Sequence, residues 1–359
     1  MAYVAAVAGA LGDHRYPQSE ITEAFARVVL GRDGAAKAGQ RLLVERVHEA
    51  TGVHHRHLAL PLERYESLRD FGEANDAFLD AGVRLAAKAI ADALDESGLR
   101  PFDVDLIMSA TVTGVAAPSI DARVLPMLQL RDDIKRVPVF GLGCVAGAAG
   151  IARVADYLRG HPDDVAVLVT VELCSITVQR DDSSMANVVA SGLFGDGAAA
   201  VVMVGERRAR SLGLTGAKVV RSRSVFYPDT ERVMGWDVGA SGFRIVLAPT
   251  VADIVEANLG DDVKRFLADS SMDRSEVIHW IAHPGGPKVL LAMQSALGVS
   301  REALQVTWDS LQDVGNLSSA SVLHVLRDTL RLHPKGTGQP AVLLAMGPGF
   351  CAELVLLEW

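Results

Sequence analysis

The sequence predicts an α/β protein made of two duplicated halves, and three observations carry that prediction. Apolar runs of strand length alternate with helical patterns along the 359 residues. Val137–Gly150 (VPVFGLGCVAGAAG) takes an apolar strand through a Gly-rich turn into a helix of small residues, with Cys144 in its first turn. A second stretch, Asp313-Val-Gly-Asn-Leu-Ser-Ser-Ala-Ser-Val-Leu, repeats that design with Asn316 in place of the cysteine. Continuous apolar strands separated by helices indicate a largely parallel sheet covered on both faces. The length suits two domains or one duplicated unit. The repeat rests on element order, because no identity between the halves is visible. A polar, charged segment from Gly205 to Leu214 separates a half at 1–210 from a half at 211–359.

The elements follow in order. A strand is expected at 2–10, then a helix capped by Ser19 and running to Leu30, and a second helix over Gly39–Glu49. His54-His55-Arg56-His57 has the composition of a metal cluster, but extended geometry would splay its side chains to opposite faces, which reads as surface. Ala74–Ala93 has apolar residues at three- and four-residue spacing and reads as a long helix. A strand follows at Asp103–Thr113, then a loop containing Pro118 and a helix capped by Ser119 that runs to Leu130. After the Cys144 unit come a strand at Asp164–Leu173 and a turn at Gly192 that feeds a strand ending near Met203. The second half carries a strand at 216–227, a helix over Pro249–Ala268, a strand at Val277–Ala282 and helices at Pro287–Leu297 and Ser300–Asp313. It closes with the Asn316 unit and strands at 341–346 and 352–358, joined by Met346-Gly-Pro-Gly-Phe350.

Composition narrows the function. Aromatic residues make up only 5% of the chain against 49% apolar, so small side chains fill much of the interior and helices can approach closely. A net charge of −9 without a Lys/Arg run argues against nucleic acid. No apolar stretch has membrane-spanning length, and the start has neither a basic region nor a cleavage site. Three cysteines (Cys144, Cys174, Cys351) without CxxC spacing argue against a disulfide framework and against zinc, and for a reducing, cytoplasmic setting.

At the mouth of a helix, Cys144 meets free backbone N–H groups and the positive end of the helix dipole, which favours thiolate. A nucleophilic cysteine also needs a base or cationic partner and donors for an oxyanion. His283, at a strand end before Pro-Gly-Gly-Pro, is the best candidate for the partner. Two small-residue helices packed back to back would bring Cys144 and Asn316 together.

Taken together, GLGCVAGAAG around Cys144, WIAHPGGPK around His283, GNLSSAS around Asn316, LFGDGAAA around Phe194 and the closing MGPGF resemble the type III polyketide synthases, the chalcone synthase-like branch of the thiolase superfamily. The motifs occur in family order over essentially the whole chain. Their texture (RHLALPLE, DFGEAN, ATVTG, VELCS, MGWDVG and the ending ELVLLEW) is closest to actinobacterial alkylpyrone synthases. The resemblance implies a homodimer of thiolase-like, five-layered αβαβα protomers acting on acyl-CoA and malonyl-CoA (or alkylmalonyl-CoA), with neither metal nor organic cofactor. By motif position Cys144 would take the starter as a thioester and His283 would keep it as thiolate. His283 and Asn316 would hold the malonyl thioester carbonyl through decarboxylation.

The resemblance also assigns a surround. Phe194 would gate the passage between the CoA tunnel and the cavity, and Ser318 and the Gly347-Pro348-Gly349 loop would line the cavity. Arg46 falls where the family places a cation for the CoA phosphates, although Leu43 and Ala50 stand where plant enzymes carry lysines. Cys174 replaces a threonine of the plant enzymes. Trp236 stands near a glycine that opens the chalcone synthase cavity, and Ala117 replaces a large residue that crosses the dimer. A bulky Trp236 and a small Ala117 together suggest an aliphatic starter, two or three extensions and release as an alkyl-α-pyrone, or by aldol closure as a resorcinol. Naphthalene-forming members carry a different cavity set, so a naphthalene product is set aside. Two rivals stay open: an initiating β-ketoacyl-acyl-carrier-protein synthase, disfavoured by HPGGPK and MGPGF, and a cysteine acyl hydrolase, which would release free acid and no carbon dioxide.

Overall fold

The computed structural model describes all residues except 31–37, 181, 215 and 335–337. Nine strands form one continuous sheet. From one edge to the other it runs His279–Ala282, Pro340–Gly347, Cys351–Glu358, Lys218–Phe226, Ala2–Leu11, Asp196–Gly205, Val165–Leu173, Leu106–Thr111 and Lys135–Phe140. The first four strands come from the C-terminal half and the other five from the N-terminal half. The halves are stitched by a short pairing of Ala2 with Val219 and Tyr3 with Lys218.

Helices Ala146–Gly160 and Ser321–Leu332 lie between the two halves. One apolar cluster contains Ala148, Ile151 and Val154 from the first and Val322, Leu323 and Leu326 from the second. It also takes in strand residues of both halves, such as Leu168, Met203, Leu343 and Val355. Outer helices close the other faces. Phe71–Ser97 covers the N-terminal strands through Phe78, Leu85, Ile90 and Leu94. Val251–Ala268 and Pro287–Leu297 cover the C-terminal strands through Leu259, Phe266, Leu290 and Met293. Helix, strand, helix, strand, helix is the five-layered αβαβα order.

Small residues make the central layer possible. A Cβ on Gly147 would stand 2.5 Å from the Ser319 carbonyl oxygen, and one on Gly150 would meet the Leu168 side chain at the same distance. Only glycine allows the first helix to lie this close to the turn that begins the second and to the sheet behind it.

Several expectations change. The sheet is mixed rather than largely parallel: parallel pairing joins Leu106–Thr111 to its two neighbours and His279–Ala282 to Pro340–Gly347, and the remaining five strand pairs are antiparallel. The apolar runs arise from cover on both faces, whichever way neighbouring strands run. Ser19 does not cap the first helix, which begins at Gln18 directly after Pro17. Ser119 occupies the cap position of helix Ile120–Leu128 but donates and accepts no capping bond there. The expected strand at Asp103–Thr113 contracts to Leu106–Thr111, preceded by a tight turn at Pro101–Asp103. Two small antiparallel strand pairs escaped the sequence reading, His14–Pro17 with the distant His55–Leu58 and the hairpin of Met234–Gly239 with Gly242–Leu247.

Candidate active site

Cys144 sits in the single turn Gly143–Val145, which runs directly into helix Ala146–Gly160. Gly143 reaches this turn at φ +53°, and a Cβ there would press on the Pro348 ring at 2.7 Å. Close approach and left-handed backbone both call for glycine before the cysteine. The mirrored unit places Asn316 just ahead of the turn Ser318–Ala320 and helix Ser321–Leu332. The two turns meet where the Cys144 thiol donates to Ser318 Oγ at 3.5 Å.

Asn316 is held by backbone on one side and by its own turn on the other. Its N–H donates to the Leu193 carbonyl at 2.9 Å, and the Gly195 N–H returns a bond to the Asn316 carbonyl at 2.9 Å. Phe194, between those two residues, is thereby bridged to Asn316. The side-chain carbonyl of Asn316 accepts from Ser318 N–H at 2.8 Å, which points the amide oxygen inward to the turn and leaves its NH₂ as the free donor. Among the described residues, that NH₂ donates to nothing.

His283 ends strand His279–Ala282, with its N–H on the Leu344 carbonyl at 2.9 Å. Both ring nitrogens are buried without a partner among the described residues. Buried polar groups are normally paired, so an imidazole with two unmet nitrogens is a candidate for contact with a ligand. The loop after it places Gly286 3.4 Å, by its would-be Cβ, from the Leu193 side chain, next to the Phe194–Asn316 bridge.

The surroundings do not favour the expected thiolate. Burial pushes the Cys144 thiol up to about 12, with the Ser318 contact lowering it and the neighbouring Glu172 carboxylate raising it. Burial brings His283 down to about 3. Desolvation outweighs the helix end and favours the neutral thiol and the neutral imidazole.

The cavity at Cys144 has a volume of ≈ 110 Å³ and opens to solvent at its mouth. Cys144, Cys174, Phe194, Trp236, Ser318 and Pro348 of the expected set line it. Gly347 and Gly349 do not, although Gly347 packs tightly beneath the Cys144 turn, its would-be Cβ 2.8 Å from Val145 N. His283 and Asn316 stand behind the lining rather than in it. Ala117 is not part of this wall, and Arg46 is an exposed residue of helix Ala38–Ala50 away from it, so neither borders the cavity of a single chain.

Residues that the sequence reading missed complete the wall. Arg56, taken as surface, is 2% exposed and borders the cavity. Its Nη1 donates to the Phe194 carbonyl at 2.7 Å and its Nε to Gln18 at 3.1 Å. The alternating burial of His55–Leu58 held the clue, because Arg56 shares its face with Leu58. Tyr65, Ser175, Thr177 and Asn187 add polar groups beside the apolar surface of Ile21, Ala24, Phe25, Val28 and Val178. Beneath the wall, Glu172 accepts from Val112 N–H at 3.1 Å, Thr113 Oγ1 at 2.9 Å and Ser319 Oγ at 2.5 Å. Burial raises its carboxyl to about 7 despite these donors.

Known proteins resemble the chain along its full length. Residues 1–207 match the N-terminal domain of chalcone and stilbene synthases, and residues 218–358 match the C-terminal domain. A 1,3,6,8-tetrahydroxynaphthalene synthase from Streptomyces peucetius subsp. caesius is 53% identical over 356 residues, covering 99% of this chain and 93% of that one. A protein of the same name from Streptomyces coelicolor is 32% identical over 88% of this chain and 83% of that one. The crystal structure of the tetrahydroxynaphthalene synthase from Streptomyces coelicolor A3(2), described as a bacterial type III polyketide synthase, superposes with a TM-score of 0.91 at 29% identity, covering 99% of both chains. No helix among the described residues is long and apolar enough to cross a membrane. With both family domains matched in order around a cysteine at the mouth of a central helix, this chain belongs to the chalcone and stilbene synthase family and is a type III polyketide synthase.

Proposed function

We propose that the enzyme builds a polyketide from malonyl-CoA alone and closes it to 1,3,6,8-tetrahydroxynaphthalene. The observation that carries this reading is the 53% identity, over nearly the whole chain, to a synthase of that name. It outweighs the expectation of an alkyl-α-pyrone, which rested on motif texture and on Trp236 and Ala117, and it brings back the naphthalene product that the cavity residues had set aside.

In this reading Cys144 Sγ attacks the starter thioester as its proton passes to His283, the neutral pair becoming charged only as the new C–S bond forms. CoA leaves and Cys144 carries the acyl group. One ring N–H of His283 and the free NH₂ of Asn316 then donate to the thioester oxygen of the next malonyl-CoA, stabilising the enolate left when carbon dioxide departs. That enolate attacks the Cys144 thioester, and the lengthened chain returns to the cysteine. Phe194 and Pro348 border the approach, Trp236 and Cys174 limit the space for the growing chain, and Arg46 meets the CoA phosphates outside. The two halves, 1–210 and 211–359, supply the nucleophile and the His–Asn pair respectively, and the active species is a homodimer.

A second reading keeps the aliphatic starter and the alkyl-α-pyrone. It is favoured by the apolar stretch Ile21, Ala24, Phe25, Val28 and Val178, since each buried CH₂ gains roughly 0.8 kcal/mol. Incubation with labelled malonyl-CoA alone, and again with octanoyl-CoA, followed by mass spectrometry of the products decides between them. Tetrahydroxynaphthalene or its oxidation product from malonyl-CoA alone is the expected result. Turnover that requires the octanoyl starter and gives only alkylpyrone overturns the first reading.

A further inference from the structure

A second polar device stands on the cavity wall, apart from Cys144, His283 and Asn316. Tyr65 and Ser175 both line the cavity, and their hydroxyls are 2.5 Å apart. Ser175 Oγ donates in turn to Asp196 Oδ2, a carboxylate with no exposure that also accepts from Ser175 N–H at 2.8 Å and Ala59 N–H at 2.7 Å. Because Asp196 consumes the Ser175 proton, Ser175 accepts from Tyr65, and the three groups form a directed chain from cavity to carboxylate. Leu60 N–H donates to the Tyr65 oxygen at 3.4 Å. That oxygen still has capacity for one further proton donor.

We propose that Tyr65, Ser175 and Asp196 form a proton relay that serves ring closure of the cavity-bound polyketide. The proposal rests on the polyketide reading above. A methylene between two carbonyls of the chain gives its proton to Tyr65 Oη, the Tyr65 proton moves to Ser175 Oγ, and the Ser175 proton moves to Asp196 Oδ2. The C–H electron pair becomes an enolate, which forms a C–C bond to a carbonyl carbon farther along the same chain. The alkoxide so formed takes the proton back along the same three oxygens, and the relay ends as it began.

The surroundings suit this role. Burial raises Asp196 to about 6, with the Ser175 and Ala59 donors and the Arg56 guanidinium opposing the shift, so the carboxylate is ionised at neutral pH yet basic enough to accept a proton. The ionisable groups that face this cluster are Arg56 and Cys174, and burial holds the Cys174 thiol neutral. The Arg180 guanidinium grips the Tyr65 carbonyl and fixes the short helix Leu62–Tyr65 that presents the ring.

The test uses Tyr65→Phe, which keeps the ring and removes the hydroxyl, and Ser175→Ala, which cuts the chain in the middle. With purified enzyme and labelled malonyl-CoA, three quantities are read: acylation of Cys144, carbon dioxide release, and the ratio of ring-closed aromatic to open or pyrone products across pH 5–9. The expected result is unchanged acylation and carbon dioxide release with a fall of tenfold or more in that ratio. The wild-type ratio should fall below about pH 6 as Asp196 gains a proton, and this limb should vanish in both variants. Ser175→Thr, which keeps a hydroxyl, should restore both. An unchanged ratio and pH limb in Tyr65→Phe overturns the relay while leaving the polyketide reading intact. A parallel fall in all three quantities also overturns it and assigns the cluster a purely structural role. Absence of Cys144 acylation in the wild-type enzyme is the distinct failure of the underlying reading.

Discussion

The two central helix mouths are built alike and do opposite things. Each begins with a glycine at positive φ, Gly143 at +53° and Gly315 at +74°, and passes through a single tight turn into a buried helix. At the first mouth the side chain faces outward, and Cys144 opens onto the cavity. At the second, backbone bonds to Leu193 and Gly195 lock the polar residue, and Asn316 offers only its amide nitrogen from behind the wall. The difference teaches that one fold unit, used twice, can present one side chain to a cavity and hold another fixed behind its wall, as the proposed nucleophile and donor require.

The largest effect expected from breaking this pairing is at the nucleophile. Cys144→Ala should abolish covalent acylation, read as loss of the acyl mass adduct on the intact protein, while carbon dioxide release from malonyl-CoA continues slowly. Release at the wild-type rate together with normal product would exclude Cys144 as the acyl carrier.

At the second mouth, Asn316→Ala should lower malonyl-CoA decarboxylation by about 10²–10³-fold, the usual loss for one oxyanion donor. His283→Ala should do the same. Wild-type release by either variant removes that residue from the oxyanion site.

The contact between the mouths can be tested by crowding it. Gly147→Ala drives a methyl into the Ser319 carbonyl and the Val322 side chain, and should destabilise the fold by about 1–3 kcal/mol, read as a lower denaturant midpoint with an unchanged m-value. No shift in midpoint would mean that the two helices separate easily.

The smallest effect concerns the thiol. With its pKa raised to about 12, Cys144 is protonated throughout the physiological range, so its alkylation by iodoacetamide should keep rising with pH and show no plateau near neutrality. Ser318→Ala removes a contact that favours the thiolate and should slow alkylation at pH 8 a few-fold. A plateau below pH 8 would restore the thiolate–imidazolium pair as the resting state.

Much of this organisation was legible in the sequence, for definite reasons. Cys144 and Asn316 stand out because a glycine turn followed by consecutive small residues has few uses apart from close helix packing. Helix Pro287–Leu297 was bounded to the residue by Pro and Gly. Sheet direction was not legible, because strands such as Val165–Leu173 and Asp196–Gly205 are buried on both faces and read alike whether neighbours run parallel or antiparallel. Arg56 was hidden among histidines, although its period-two match with Leu58 placed a guanidinium on an inward face. Tyr65, Ser175 and Asp196 lie far apart in sequence and meet only through tertiary packing, so no local pattern announces them.

The backbone bridge between Phe194 and Asn316 bears on how such an enzyme can change its product. Phe194, which borders the cavity, is tied to Asn316 through main-chain atoms of Leu193 and Gly195, so the identity of its side chain is free to vary while the Asn316 amide stays in place. Gly195 has no such freedom, since a Cβ there would stand 2.7 Å from the Val314 carbonyl oxygen. Evolution or an engineer can therefore reshape the chamber at 194 and keep the chemistry, whereas a change one residue along would disturb both at once.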